Sequence, residues 1–452
     1  MNNKKLSFSS YVAIGFMLFA LFFGAGNLIF PAQLGQYSGT NLWPAAIGFL
    51  ITGVGLPLLG ILAMGFSGSR NLQELSSRVH PAYGVFFTAL LYLTIGPFFA
   101  APRTGTVAFE VGIAPFFPEN SQGGLLIFTI LFFAITLVLS LNPKKIVDHV
   151  GKLLAPALVV LLIVLLGAVV INPMGNAGVP QDSYANGAFV KGFLEGYNTM
   201  DALASLVFGI IVINAIRSLG ITEKGEILRA TAKSGFIATG LLALIYVGIA
   251  YLGSTTVETL GLFDTGGPVL SGAASYYFGT FGSVMLAVLI ILACLTTAIG
   301  LITANAQYFH TLFPRFSYKT LVVFFTLLTF VIANFGLANI ITYSIPVLMF
   351  LYPLAIVLML LTFLSPLFNH ARMVYVGAIS VTFLISIVDG FKTLCSLLGM
   401  DYYGWLAPIV SFYEDYLPLY TQGLGWLVPF IVVTLVTGIL ARFQKVTAAY
   451  EA

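Results

Sequence analysis

The stretch Phe19 to Pro31, FALFFGAGNLIFP, decides how this chain is read. It lies within a long apolar run near the N-terminus, yet it holds two glycines, Gly24 and Gly26, followed by Asn27. A helix surrounded by hydrocarbon gains nothing from glycine flexibility, and an unpaired amide there is costly. A break in the helix accounts for both, because unwound backbone frees carbonyls to face an ion or a polar solute. Irregular backbone is tolerated at membrane depth only where it is buried in protein or lines a cavity. Half-helix ends near the midplane are a transporter device. The plainer reading is close helix packing at the glycines and an interhelical hydrogen bond from Asn27. This motif alone leaves both readings open.

Composition settles the setting. Of 452 residues, 59% are hydrophobic and only 8% charged, against roughly 25% charged in soluble domains. Mean hydropathy is +1.01. No water-soluble fold hides that much apolar surface, so the chain is read as one all-α polytopic membrane domain over 1–452. Apolar runs of about 20 residues fit helices and not barrel strands. The first run has no small-residue cleavage site and reads as a retained helix. Cys294 and Cys395 imply neither a disulfide scaffold nor a metal site.

Twelve spans are expected, at about 11–33, 42–66, 82–101, 123–141, 153–171, 193–216, 235–252, 283–307, 321–338, 343–364, 372–390 and 424–441. Pro97 and Pro102 are expected to kink or end the third span, with Arg103 near its boundary and some helix resuming before Ala114. Segment 254–282 is too polar to cross. It is read as a loop with a short helix over the mouth of the protein and a hinge at Gly266-Gly267-Pro268. Residues 391–421 are amphipathic and expected at an interface. Cytoplasmic N- and C-termini leave only Arg103, Lys191 and Lys392, of 19 Lys and Arg, at the outer side or its margin. That bias agrees with the positive-inside rule.

No enzyme is indicated. The four histidines are scattered, with no HExxH, Walker-type glycine loop, GxSxG or SxxK. No bound cofactor, nucleic acid or obligate protein partner is expected. Three polar clusters remain in the apolar runs: Gly24-Ala25-Gly26-Asn27, then Asn198-Thr199-Met200-Asp201 with Ser205 and Phe208-Gly209, and finally Thr296-Thr297. The first two sit in spans one and six, the matching positions of a five-plus-five inverted repeat. Back-bonding within the helix is the plain alternative for the threonines. Asp201 reads either as a deep carboxylate at an ion path or as a residue snorkelling to the outer boundary, and its place only about eight residues into its span favours the boundary. No ionisable group is firmly placed at the midplane, which argues weakly against lysine, arginine or glutamate as cargo.

GAGNLIFP (24–31), GYNTMDALASLVFG (196–209) and the threonines of span eight resemble the bacterial branched-chain amino acid carriers, a family of cation symporters in the cytoplasmic membrane. The resemblance covers essentially the whole chain. More distantly the chain resembles sodium-coupled transporters with five-plus-five inverted repeats and broken first and sixth helices. It implies repeats at 11–171 and 193–364, with two extra helices at 372–441. It implies leucine, isoleucine and valine as substrates and sodium as coupling ion. The sodium would rest on carbonyls near Ala20 and Phe23 with Thr296 and Thr297. The substrate pocket would draw on Gly24, Gly26, Asn27 and Ser205, with Asn27 near the substrate or near a second cation position, and with a sixth-helix break around Phe208 and Gly209. Proton coupling, another small neutral amino acid, a passive channel and a non-transporting sensor are the competing readings.

Overall fold

A computed structural model describes residues 7–116, 122–141, 147–181, 183–400 and 406–450. Lys4, Lys5, Lys144 and Lys145, used in the charge argument, lie outside it. All regular structure among the described residues is helical.

The first apolar run forms two helices, α1 (Phe8–Phe22) and α2 (Ala25–Ser38). Gly39, at φ +49°, turns the chain into α3 (Leu42–Leu50), and a π-helical stretch, Ile51–Gly55, leads to α4 (Leu56–Ser67). A short α5 (Leu72–Ser76) precedes α6 (Pro81–Leu93). After a distorted stretch at Thr94–Phe98 the helix resumes as α7 (Ala100–Gly112). Next come α8 (Gln122–Ser140), α9 (Val147–Ile171), α10 (Tyr184–Glu195) and α11 (Asp201–Ser218). The long α12 (Lys224–Leu260) and α13 (Gly266–Leu312) follow. Then α14 (Tyr318–Ala333), α15 (Leu337–Leu364), α16 (Arg372–Leu397), α17 (Leu406–Tyr416) and α18 (Leu427–Tyr450) complete the order. Among the described residues, eight helical stretches are long and apolar enough to cross a membrane, with shorter apolar helices beside them. Their outward faces carry exposed Leu, Ile, Val and Phe, as a lipid-facing surface requires.

Two groups of helices surround the centre, joined by α2, which also packs on α13, while α16 packs on α15 and α18 beside them. α1 and α2 pack on α12, α3 packs on α10, and α4 packs on α11 and α12. α7, α8, α9 and α14 gather instead around α13. Small residues set the spacing in the first group. A Cβ on Gly35 of α2 would stand 2.0 Å from Ala250 O, so α2 and α12 meet backbone to backbone there. Lipid supplies no hydrophobic force between helices, so such close van der Waals contact is what holds them.

Segment 254–282 departs from its expected form. α12 continues to Leu260, and Gly266-Gly267-Pro268 is the first turn of α13, not a hinge. The expected short helix is present as residues 266–278, set off by a left-handed Gly279 (φ +61°), and Gly261 at φ +80° ends α12. The linker is stitched to α2, where Gln36 donates to Gly261 O (3.0 Å) and Gln33 to Asp264 O (2.6 Å). It is also tied to α7, because Thr265 donates to Glu110 Oε2 at 2.8 Å.

Candidate functional site

Two helix breaks face each other in the middle of the molecule. The first is two residues long: Phe23 (φ −72°, ψ 92°) and Gly24 (φ −120°, ψ −166°) are extended. In an unbroken helix the Gly24 N–H would donate to Ala20 O. It donates instead to Asn27 Oδ1 at 2.8 Å, so Asn27 caps α2 from its own first turn and the Ala20 carbonyl loses its ladder donor.

The second break lies at 196–200. α10 ends at Glu195, a single 3-10 turn covers Gly196–Thr199, and Met200 is left-handed at φ +60°. A non-glycine residue there costs about 1–2 kcal/mol. It is held by its surroundings, since Met200 is buried. The expectation of a break around Phe208 and Gly209 is corrected, because both lie inside the continuous α11.

Asp201 opens α11 and is only 4% exposed, so its reading as a boundary residue is overturned. Its Oδ2 accepts hydrogen bonds from Asn27 Nδ2 and from the Tyr246 hydroxyl of α12, the latter at 2.9 Å. Asn27 also donates to Tyr246 Oη. One amide therefore joins both breaks to α12.

Arg103 is likewise not marginal. It is 2% exposed, and its guanidinium lies 5.3 Å from the Phe30 ring centroid. Nη1 donates to Asn198 O at 2.7 Å and Nη2 to Ser344 Oγ of α15, so Arg103 braces the second break. Two ionisable residues, Arg103 and Asp201, are therefore buried inside the protein.

A cavity of about 50 Å³ lies between the breaks, room for about one or two waters. Gly24, Gly26, Asn27, Arg103, Thr199, Met200, Asp201, Phe208 and Thr297 line it, with Leu21, Phe22, Ile95 and Leu301 supplying apolar wall. On α11 the lining positions are 201, 204 and 208, one helical face. Ser205 and Gly209 are one turn apart on another face and do not line the cavity. Ser205 Oγ stands 1.8 Å from where a Cβ on Gly60 would be, and Gly209 packs on Met64 of α4. They serve helix contact.

The residues expected around the ion divide similarly. Thr297 faces the first break, since a Cβ on Gly24 would lie 3.4 Å from its Cγ2 and 3.7 Å from its Oγ1. Its hydroxyl donates to Ala293 O (3.0 Å), leaving oxygen lone pairs free to accept a cation. Thr296 donates to the same carbonyl (2.8 Å) and is not among the lining residues. Ala20 sits in the last turn of α1, and Phe23 stacks on Phe19 with centroids 4.8 Å apart.

Sequence reasoning missed Arg103 and Tyr246 as parts of this site, named Met200 only within its polar cluster, and misplaced Asp201. The i, i+3, i+7 spacing of Asp201, Ala204 and Phe208 was an available signal for the last. A lone tyrosine in an apolar run, as at position 246, gives none.

Comparison with known proteins bears on the same region. Residues 7–444 match the family model described as branched-chain amino acid transport protein. A branched-chain amino acid permease BrnQ of Bacillus subtilis is 48% identical, covering 99% of this chain and 100% of that protein. The branched-chain amino acid transport system 2 carrier protein of Pseudomonas aeruginosa is 44% identical, covering 92% and 93%. Among solved structures, MhsT in complex with L-phenylalanine aligns at TM-score 0.55 with 16% identity, over 95% of this chain and 98% of that one. Mhp1, a nucleobase-cation-symport-1 family transporter in a closed conformation, aligns at TM-score 0.60 with 13% identity, over 97% and 93%. The latter two likenesses give the fold alone. This chain belongs to the branched-chain amino acid transport protein family.

Proposed function

We propose that this member of the branched-chain amino acid transport family is a sodium symporter that brings leucine, isoleucine and valine into the bacterial cell, with both termini cytoplasmic. Residues 11–171 and 193–364 act as its inverted repeats, and 372–441 as two added helices. The observation that carries the choice of ion is the meeting of Thr297 with the first break. Dehydrated sodium needs several fixed oxygens. The Ala20 carbonyl, stripped of its ladder donor, and the Thr297 hydroxyl are neutral candidates on two different helices. Such a site is complete only when α1 and α13 are correctly placed, so ion occupancy favours one conformation in proportion to its differential affinity. Linkage then makes sodium and amino acid raise each other's affinity.

The apolar wall formed by Phe22, Ile95, Phe208 and Leu301 suits a branched aliphatic side chain. Such a wall separates neighbouring aliphatic amino acids by only about 1–3 kcal/mol per methylene. A cavity of about 50 Å³ is too small for leucine, so loading requires the two helix groups to part around it. That movement is the rocking expected of inverted-repeat transporters.

The test is leucine uptake into proteoliposomes under a sodium gradient or a proton gradient, with a sodium titration. Sodium is expected to drive accumulation. Thr297→Ala is expected to raise half-saturating sodium about tenfold, a loss of about 1.4 kcal/mol. Thr297→Ser, which keeps the oxygen, should stay within about threefold. Identical sodium dependence in all three proteins would remove Thr297 from the site. Full uptake on a proton gradient without sodium would overturn the choice of ion. Leucine binding without accumulation under either gradient would favour the sensor.

A further inference from the structure

We infer that the amino acid is held as a zwitterion between two side-chain charges, Arg103 receiving its carboxylate and Asp201 its ammonium group. The inference rests on the amino acid transport reading above and deepens it by assigning the polar half of the substrate site.

Both residues line the same cavity, and both are at least nine-tenths buried. Neither has a charged partner in an ion pair among the described residues. Arg103 has only neutral acceptors, the Asn198 carbonyl and the Ser344 hydroxyl. Its Nε–H is buried with no hydrogen-bond partner at all. A guanidinium offers five N–H donors in a planar fork that matches a carboxylate. A buried guanidinium facing only neutral groups is costly, and a carboxylate relieves that cost. Asp201 shows the complementary pattern, with neutral donors from Asn27 and Tyr246 on Oδ2. Two opposite charges on one cavity, not joined to each other, match a ligand carrying both signs.

The consequence for recognition is large. An apolar wall separates aliphatic side chains about 10- to 200-fold, whereas a site built around buried polar groups rejects ligands that leave them unmet by far more. The protein is therefore expected to tolerate changes at the side-chain end and to refuse changes at the head group.

The test is competition against radiolabelled L-leucine on the full chain in nanodiscs at saturating sodium. One competitor is 3-methylbutan-1-amine, which is leucine without its carboxylate. The other is 4-methylpentanoate, which is leucine without its amine. The wild-type chain is expected to prefer leucine over each by at least about 100-fold. Arg103→Gln should lose leucine affinity about 100-fold while its affinity for the amine stays within about threefold, and Asp201→Asn should do the same with the pentanoate. Wild-type protein that takes either analogue as well as leucine would overturn the inference, and that arm needs no variant to fold. Equal losses for all three ligands would mark the side chains as structural braces and overturn it too. Unchanged leucine affinity in Arg103→Gln would assign the carboxylate to the first-turn N–H groups of α2. Loss of sodium dependence in Asp201→Asn, with 4-methylpentanoate still refused, would assign Asp201 to the ion. Failure of the wild-type chain to bind leucine, isoleucine and valine would sink the transport reading itself.

Discussion

The two breaks meet at one cavity but are built by different means. At residues 23–24 the chain leaves the helix through ordinary extended angles, and Asn27, one turn on, takes up the N–H that the helix releases. At 196–200 it passes through a tight turn and a left-handed Met200, and Arg103 from another helix holds the Asn198 carbonyl. The first break is self-capped and local. The second has local hydrogen bonds of its own, Thr199 Oγ1 to Gly196 O at 2.9 Å and Met200 N–H to Tyr197 O at 3.0 Å, and adds a brace from a distant helix. The difference is that brace, since polar groups of α7 and α15 converge on the α10–α11 side.

The largest effect should come from cutting the link between the breaks. Asn27→Leu removes the cap on Gly24 and the donor to Asp201 and Tyr246, three buried contacts of which the one to the carboxylate alone is worth about 1.5–3 kcal/mol. Leucine uptake per transporter reaching the membrane should fall at least about 50-fold. A wild-type rate would show that the two breaks work independently. A middle effect separates two neighbours on α11. Phe208→Ala enlarges the cavity wall and should shift preference from leucine toward larger aromatic amino acids by about tenfold. Gly209→Ala should leave that preference alone and cost about 1–3 kcal/mol of stability against Met64, read as a lower thermal midpoint. A changed preference in Gly209→Ala would return the functional break to 208–209. The smallest effect is expected at Gly24. Its angles suit any residue, and a methyl group there meets Thr297 Cγ2 at 3.4 Å, an ordinary contact. Gly24→Ala should change stability by less than about 1 kcal/mol and half-saturating sodium by two- to threefold. A severe folding defect would mean that the first break needs glycine after all.

The same asymmetry explains what the sequence disclosed. The all-helical membrane fold and the first break were legible, because glycines and an amide stand out against an apolar run. The second break carries the polar run Asn198-Thr199-Met200-Asp201, which stands out from the apolar sequence without showing where the helix breaks. Its deviant residue is a methionine, which no propensity scale associates with left-handed backbone, and the conspicuous Gly209 is a packing residue. Arg103 was misjudged for a related reason. The expected kink or end at Pro97 and Pro102 is a kink, at Gly96 (φ −91°, ψ −121°), and the helix resumes over Ala100–Gly112, before Ala114. Pro102 then falls in a first turn, where the missing N–H costs nothing, and Arg103 is carried into the interior. Tyr246 and Ser344 are placed by tertiary packing, which local pattern does not encode.

The short helix 266–278 has a mechanical consequence. Left-handed glycines mark both ends, Gly261 just before it and Gly279 just after, while its first residue lies against the Ile29 carbonyl of α2 and the preceding Thr265 is bonded to α7. Its start is clamped to one element from each helix group, because Gln36 of α2 holds Gly261 O and Thr265 holds Glu110 of α7. One short segment thereby ties α2 to α7 at this end of the molecule.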